Sequence, residues 1–281
     1  MDLGYIHWNI HPEIFNAEFT LPLLGEINLA VRYYGVLFAM GFVLGYYIML
    51  RFFRKENLDI KLLDQLSTYM IIATILGARL GHVLFYQPDY YLSNPSEILK
   101  IWHGGLASHG AAIGILLGLW IFSKQTKRSF LWTVDRIVVV VALAGALIRT
   151  GNLMNSEIYG KVTDVPWAFI FSQSDASLLP RHPTQIYEAL AYLASFVFLY
   201  LYYHKKENKP SQGLLLGWFF ILIFGFRFIV EFFKAPQVGF ENEMLLNMGQ
   251  ILSIPFVLLG VWLLRMVKNN SIPFWLKRGQ A

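Results

Sequence analysis

Arg149, Asn152, Asn155 and Glu157 stand at the end of a run of apolar side chains, 134–148. With its flanks that run is long enough to cross a bilayer. Ionisable side chains at membrane depth are costly unless paired or drawn toward water, so their presence marks a functional site by default. Helical spacing puts Arg149, Asn152 and Asn155 on adjoining turns of one face. A guanidinium holds two phosphate oxygens at once, and amides bind ester or hydroxyl oxygens. Glu157 either orients Arg149 or holds a substrate group. The competing reading is an interhelical polar clamp with no ligand.

Three further constellations carry the same kind of side chain. In His103-Gly-Gly-Leu-Ala-Ser-His109-Gly110 the glycines allow close backbone approach, and His109 falls about one turn into the following apolar segment. Imidazole is suited to proton transfer near neutrality, although a lone histidine also serves as a hydrogen-bonding partner between helices. His103 is the weaker candidate. Arg227 and Glu231 lie one helical turn apart, an ion pair that is either functional or merely stabilising. In Arg181-His182-Pro183-Thr184-Gln185-Ile186-Tyr187-Glu188 a helix starts after the proline, with Thr184 as its cap and Gln185, Tyr187 and Glu188 in its first turn. Capping and a lipid or peptide contact are both open there. Arg32-Tyr-Tyr34-Gly35 and Gly77-Ala-Arg79-Leu-Gly81-His82 read by themselves as an interfacial anchor and a small-residue packing site. Glu243 and Asn247-Met-Gly-Gln250 read as loop and cap chemistry.

The elements that must position these groups are membrane helices. Of the 281 residues, 56% are hydrophobic and 15% charged, the balance of a polytopic membrane protein. Seven apolar segments, roughly 27–53, 66–86, 106–122, 132–148, 185–203, 213–233 and 248–266, each approach the length of a spanning helix. The expected fold is therefore an all-α polytopic membrane protein, one integral domain over 1–281 with seven transmembrane helices. Longer outer-face loops run over 87–105 and 151–184.

Positive charge sets the orientation. One face collects Arg51, Arg54, Lys55, Lys61, Lys124, Lys127, Arg128, Lys205, Lys206, Lys209, Arg265, Lys268, Lys277 and Arg278. The other has Lys100, Lys161, Arg181 and Lys234. The N-terminus is thus expected outside and the C-terminus in the cytoplasm. Arg136, following a basic connection, is expected to snorkel to the cytoplasmic interface. The first 16 residues lack the basic start and apolar core of a secretory signal and read as an amphipathic element in the outer headgroup layer. There is no cysteine, so thiolate metal sites and a cysteine nucleophile are excluded and any sulfur chemistry uses a partner's thiol. No cluster of metal ligands or cofactor motif appears, and no nucleic-acid partner is expected.

The ordered strings resemble the bacterial prolipoprotein diacylglyceryl transferases from about residue 23 to 266. The signature Arg149, Asn152, Glu157, Gly160 is matched, as are His-Gly-Gly-Leu-x-x-His-Gly around His109, Arg-x-x-x-Glu-Phe-Phe from Arg227, and His-Pro-Thr-Gln-x-Tyr-Glu from His182. Where family members often carry a Tyr before the second Arg, Ile223 and Phe224 stand here. The resemblance implies a multi-pass protein of the bacterial inner membrane. Its implied activity is transfer of the diacylglyceryl group of phosphatidylglycerol to the lipobox cysteine thiol of a prolipoprotein, releasing glycerol phosphate. It implies that His109, Arg149, Arg227 and Glu231 are catalytic. Tyr34, Arg149, Asn152, Asn155, Glu157, Gly160, Arg181, His182 and Gln185 would bind substrate. In that reading Arg149 and Arg227 stabilise the leaving phosphate, His109 takes the thiol proton and Glu231 orients Arg227. Asn152 and Glu157 would fix the headgroup, and Tyr34 would bound the lipid pocket. A transporter or lipid carrier using the same Arg, Glu and His as a path is the alternative, and a seven-helix receptor a third.

Overall fold

The computed structural model describes residues 4–21, 25–101, 104–206, 210–236 and 244–273. His103 and Glu243 lie outside the described residues. In chain order the elements are β1 (Ile6–Trp8), β2 (Glu13–Leu21), β3 (Gly25–Arg32), α1 (Tyr33–Lys55), α2 (Ile60–Phe85), α3 (Pro88–Ser93) and a 3₁₀ turn (Pro95–Leu99). There follow α4 (Ser108–Thr126), α5 (Phe130–Met154), β4 (Phe169–Phe171) and α6 (Thr184–Lys205). Then α7 (Leu214–Phe219), a π-helical turn (Phe220–Phe224) and α8 (Gly225–Val230) form one near-continuous rod, and α9 (Met248–Lys268) closes the series. The protein is mostly helical, and five helices, α1, α2, α5, α6 and α9, are long and apolar enough to cross a membrane.

The chain divides into two compact units: Met1–Ile48 with Ile137–Asn270, and Met49–Arg136 with Ser271–Ala281. In the first, β2 and β3 form an antiparallel hairpin in which Glu13 faces Arg32 and Asn16 faces Ala30. The Tyr33 N–H donates to the Pro12 carbonyl at 3.1 Å, and α1 starts there. β1 pairs in parallel with β4, placing Ile6 beside Phe169 and Trp8 beside Phe171. The Trp8 indole N–H also donates to the Leu153 carbonyl at 3.0 Å, fastening this strand to the end of α5. Asn247 opens α9 with a reciprocal capping box to Gln250, which satisfies backbone donors at both positions.

The second unit is organised on α2 and α4, which cross through glycine. Gly77 and Gly81 of α2 face Gly110 and Gly114 of α4 so closely that a Cβ on any of them would collide with the opposing backbone. Small residues permit such approach where there is no hydrophobic drive between lipid-exposed helices. Asp59 caps α2 by accepting from the Lys61 N–H at 2.9 Å.

Several expectations change. Four strands depart from the all-α reading, and the segment expected over 27–53 is extended to Arg32 before it becomes helical. An apolar run of that size does not by itself distinguish a strand that finds a ladder partner from a helix. The opening residues, expected as an amphipathic element, supply β1 and part of β2. α5 continues through Met154, so Arg149 and Asn152 are helical and the loop expected from 151 starts later. The other long loop holds α3 and the 3₁₀ turn. Arg136 does not snorkel: it is 2% exposed and pairs with Glu56 at 3.1 Å. The Trp132 indole N–H donates to the same carboxylate at 3.1 Å.

Candidate functional site

The first unit gathers most of the polar groups singled out in the sequence. From α5 come Arg149 and Asn152, from α6 Gln185, Glu188 and Tyr192, and from α8 and the turn after it Arg227, Glu231 and Lys234. The Arg149 Nε pairs with Glu188 at 3.0 Å, and its terminal nitrogen donates to the Asn152 Oδ1 at 3.2 Å. The Asn152 amide donates in turn to Glu157 at 2.7 Å, and the Asn155 amide donates to the same oxygen at 3.2 Å. On the other side Lys234 bridges Glu188 at 3.0 Å and Glu231 at 2.8 Å. Glu231 faces the Arg227 Nε at 3.6 Å and accepts from the Asn247 amide at 3.1 Å. Cations and carboxylates thus alternate from Glu157 to Arg227.

The two arginines are held differently. Arg149 is gripped by a fully buried carboxylate and an amide, whereas the Arg227 side chain is 34% exposed and its Nε, in the described structure, has no hydrogen-bond partner. Its planar fork therefore has donors to give to an incoming anion. Around Glu157 the unspent groups are acceptors. The Gln185 amide donates to the Glu157 carbonyl at 2.7 Å while its Oε1 is buried without a described partner, and so is the Asn155 Oδ1. Both amide orientations are set by the acceptor each NH₂ meets. Glu157 itself is exposed. A carboxylate and two amide oxygens suit hydroxyl donors, while the arginine end suits an anion.

Residues 22–266 match the family model described as prolipoprotein diacylglyceryl transferase. The chain belongs to this family. The transferase is 49% identical over 251 residues to the phosphatidylglycerol–prolipoprotein diacylglyceryl transferase of Tolumonas auensis, covering 89% of this chain and 95% of that protein. It is 46% identical to the similarly named protein of Chloroherpeton thalassium, over 93% and 94% of the two chains, and 45% identical to that of Porphyromonas gingivalis, over 95% and 96%.

The remaining sequence candidates take up distinct places. The Tyr34 ring packs against Gly151, one residue before Asn152, where a Cβ would strike it. Gly160 is wedged between His182 and the Phe233 backbone, and its N–H donates to the His182 carbonyl at 2.8 Å. Arg181 pairs with Asp175, whose carboxyl it holds down at about 2, and stacks 5.0 Å over Tyr159. The His182 Nδ1 meets the Tyr187 hydroxyl at 3.1 Å, and burial lowers its pKa. Thr184 heads α6 without capping it; its hydroxyl donates to the Ile158 carbonyl at 3.0 Å. His109 belongs to the other unit, exposed in the first turn of α4.

Two site residues escaped the sequence reading. Glu188 suits a helix N-terminus, which by itself accounts for its charge, and Lys234 stands among the cations of the expected outer loops. Lys234 is only 5% exposed. The available signal was position: it follows Glu231 by three residues, one helical turn, with the apolar pair Phe232-Phe233 between.

Proposed function

We propose that this enzyme transfers the diacylglyceryl group of phosphatidylglycerol to the thiol of the lipobox cysteine of a prolipoprotein, forming a thioether and releasing glycerol phosphate. The name shared by its relatives supports this reaction, and none of them is named as a carrier. The observation that carries the reading is the alternating charge string ending in the loosely held Arg227.

In the reaction the thiol loses its proton, sulfur attacks the glycerol carbon bonded to the phosphate oxygen, and that carbon–oxygen bond breaks. The electron pair leaves with glycerol phosphate, which gains one negative charge over the diester. Arg227 meets that charge, and Arg149, fixed by Glu188, supplies a second guanidinium. Lys234 keeps Glu188 and Glu231 from repelling each other and from drawing both arginines out of reach of phosphate. The headgroup hydroxyls donate to Glu157, Asn155 and Gln185, so Asn152 ties the hydroxyl end of the headgroup to its phosphate end. His109 takes the thiol proton. Preorganised donors of this kind are each worth about 2–4 kcal/mol of transition-state stabilisation.

All seven apolar segments cross the membrane in this reading, α4 and the rod from α7 to α8 joining the five longer helices, with the N-terminus outside and the site toward the outer leaflet of the bacterial inner membrane. The test incubates purified protein in detergent with phosphatidylglycerol and a lipobox peptide carrying one Cys, and follows peptide mass and released glycerol phosphate. A diacylglyceryl mass gain that Arg149→Ala lacks is the expected result. Normal turnover by folded Arg149→Ala would remove the anion-binding assignment.

A further inference from the structure

Outside the charge string, one buried cation has a role the reaction has not used. Arg79, in the C-terminal third of α2, is 3% exposed. Its Nε donates to the Ile98 carbonyl at 2.8 Å, and one terminal nitrogen donates to the carbonyls of Gly104 at 2.5 Å and Gly105 at 3.1 Å. The other terminal nitrogen donates to the Lys100 carbonyl at 3.3 Å and to that of Glu97. The guanidinium lies 4.8 Å over the Tyr91 ring. Five N–H donors meet five main-chain carbonyls, and among the described residues none of its partners is a carboxylate. An arginine spent in this way fixes the path of a loop.

That loop leads into His109. Gly104 and Gly105 take left-handed conformations, with φ of 82° and 73°. The Gly105 Cα faces Arg79 and His82 with no room for a Cβ. Beyond them the Ala107 N–H donates to the Ala78 carbonyl at 2.9 Å, and Gly110 packs on Gly77 and Gly81. One stretch of α2, residues 77–81, therefore grips the chain before and after His109. Since the imidazole itself is exposed, its aim is set by this backbone.

We propose that Arg79 is a positioning residue for His109, acting through the carbonyls of Glu97, Ile98, Lys100, Gly104 and Gly105 and the first turn of α4; this rests on the reading of His109 as acceptor of the thiol proton. Lysine does not substitute, because three donors on one point charge cannot reach five carbonyls arrayed around a planar fork.

The experiment measures kcat, KM for phosphatidylglycerol, the pH dependence of kcat and the melting temperature for Arg79→Lys, Arg79→Ala, Gly105→Ala, His109→Ala and the Arg79→Ala/His109→Ala double variant. Each Arg79 variant should lose about 100-fold in kcat, as misplacement by an ångström does, with KM within about twofold of the parent. The pH profile should take the form of His109→Ala, rising only as the peptide thiol ionises, and the double variant should be no slower than the worse single one. Gly105→Ala, which keeps the arginine but strains the loop and crowds its guanidinium, should show the same profile and covers the case in which Arg79→Ala fails to fold. Arg79→Lys at parental kcat, losses that multiply in the double variant, or an unchanged pH profile in Gly105→Ala would overturn the proposal. Parental kcat in His109→Ala would instead overturn the role of His109 and leave the loop contacts a matter of folding.

Discussion

Lys234 sets how much of the charge string survives a single substitution. Removing one partner of a buried pair strands the other, at a cost of about 3–5 kcal/mol, and Lys234 touches two carboxylates, one of them fully buried. Lys234→Met should therefore lower the thermal midpoint in detergent more than Arg227→Met, since Arg227 is partly exposed and loosely paired. If Lys234→Met melts with the parent protein, Glu188 and Glu231 are not held apart by it. At the same scale Asp175 makes a pH prediction. Its folded pKa, about 2, lies below its ordinary 3.8, so the contribution of the Asp175–Arg181 pair is complete above the ordinary value and is lost as pH falls toward the folded one. Limited proteolysis of 156–183 should accelerate between pH 4 and pH 2 in the parent and be already fast at pH 5 in Asp175→Asn. Equal cleavage of the two proteins at pH 5 would show that the pair does not restrain the loop.

Elements explain what could be seen in advance and what could not. Hydropathy placed the five helices that are long and apolar enough to cross a membrane, and spacing set Arg227 against Glu231, because both follow from local patterns that any helix obeys. The partner of Arg149 was invisible for the opposite reason: Glu188 is 39 positions away on another helix, and nothing local ties the two. The β2–β3 hairpin was missed because its apolar run merges into α1, and the π turn at 220–224 because Phe-Ile-Leu-Ile-Phe has no residue that marks a change of helical pitch. The glycine crossing of α2 and α4 was legible as small-residue packing, and it yields the firmest prediction at this scale. Gly114→Leu should destabilise the second unit by several kcal/mol and release α4 from α2, since the collision is with backbone rather than with a movable side chain. Gly35→Ala, where a Cβ meets nothing, is the matched control. Similar melting of both variants would argue that the crossing is loose.

At the scale of the whole molecule the distribution of cations bears on how the chain threads the bilayer. Lys or Arg stands in the last turn of α1 (Arg54, Lys55), α4 (Lys124), α6 (Lys205) and α9 (Arg265, Lys268), whereas the last turns of α2 and α5 have neither. The rod through α8 carries Arg227 in its last turn, a cation spent in the charge string, so the basic ends of α1, α4, α6 and α9 fit the proposed orientation with those ends toward the cytoplasm. In the proposed orientation the end of α5, the start of α6 and the start of α9 that build the charge string are all at the outer leaflet, on the side where the proposed acceptor thiol would arrive. Because the native chain has no cysteine, single-cysteine labelling reads the orientation directly. Ala176→Cys, exposed between β4 and α6, should react with a membrane-impermeant maleimide in intact spheroplasts, and Lys206→Cys, exposed just after α6, should react only after the membrane is opened. Neither position contributes to the charge string, so both variants should remain active and report on the working enzyme. Labelling of Lys206→Cys in sealed spheroplasts would reverse the proposed topology. It would also put the site on the face away from exported lipobox thiols, leaving the proposed reaction without its acceptor.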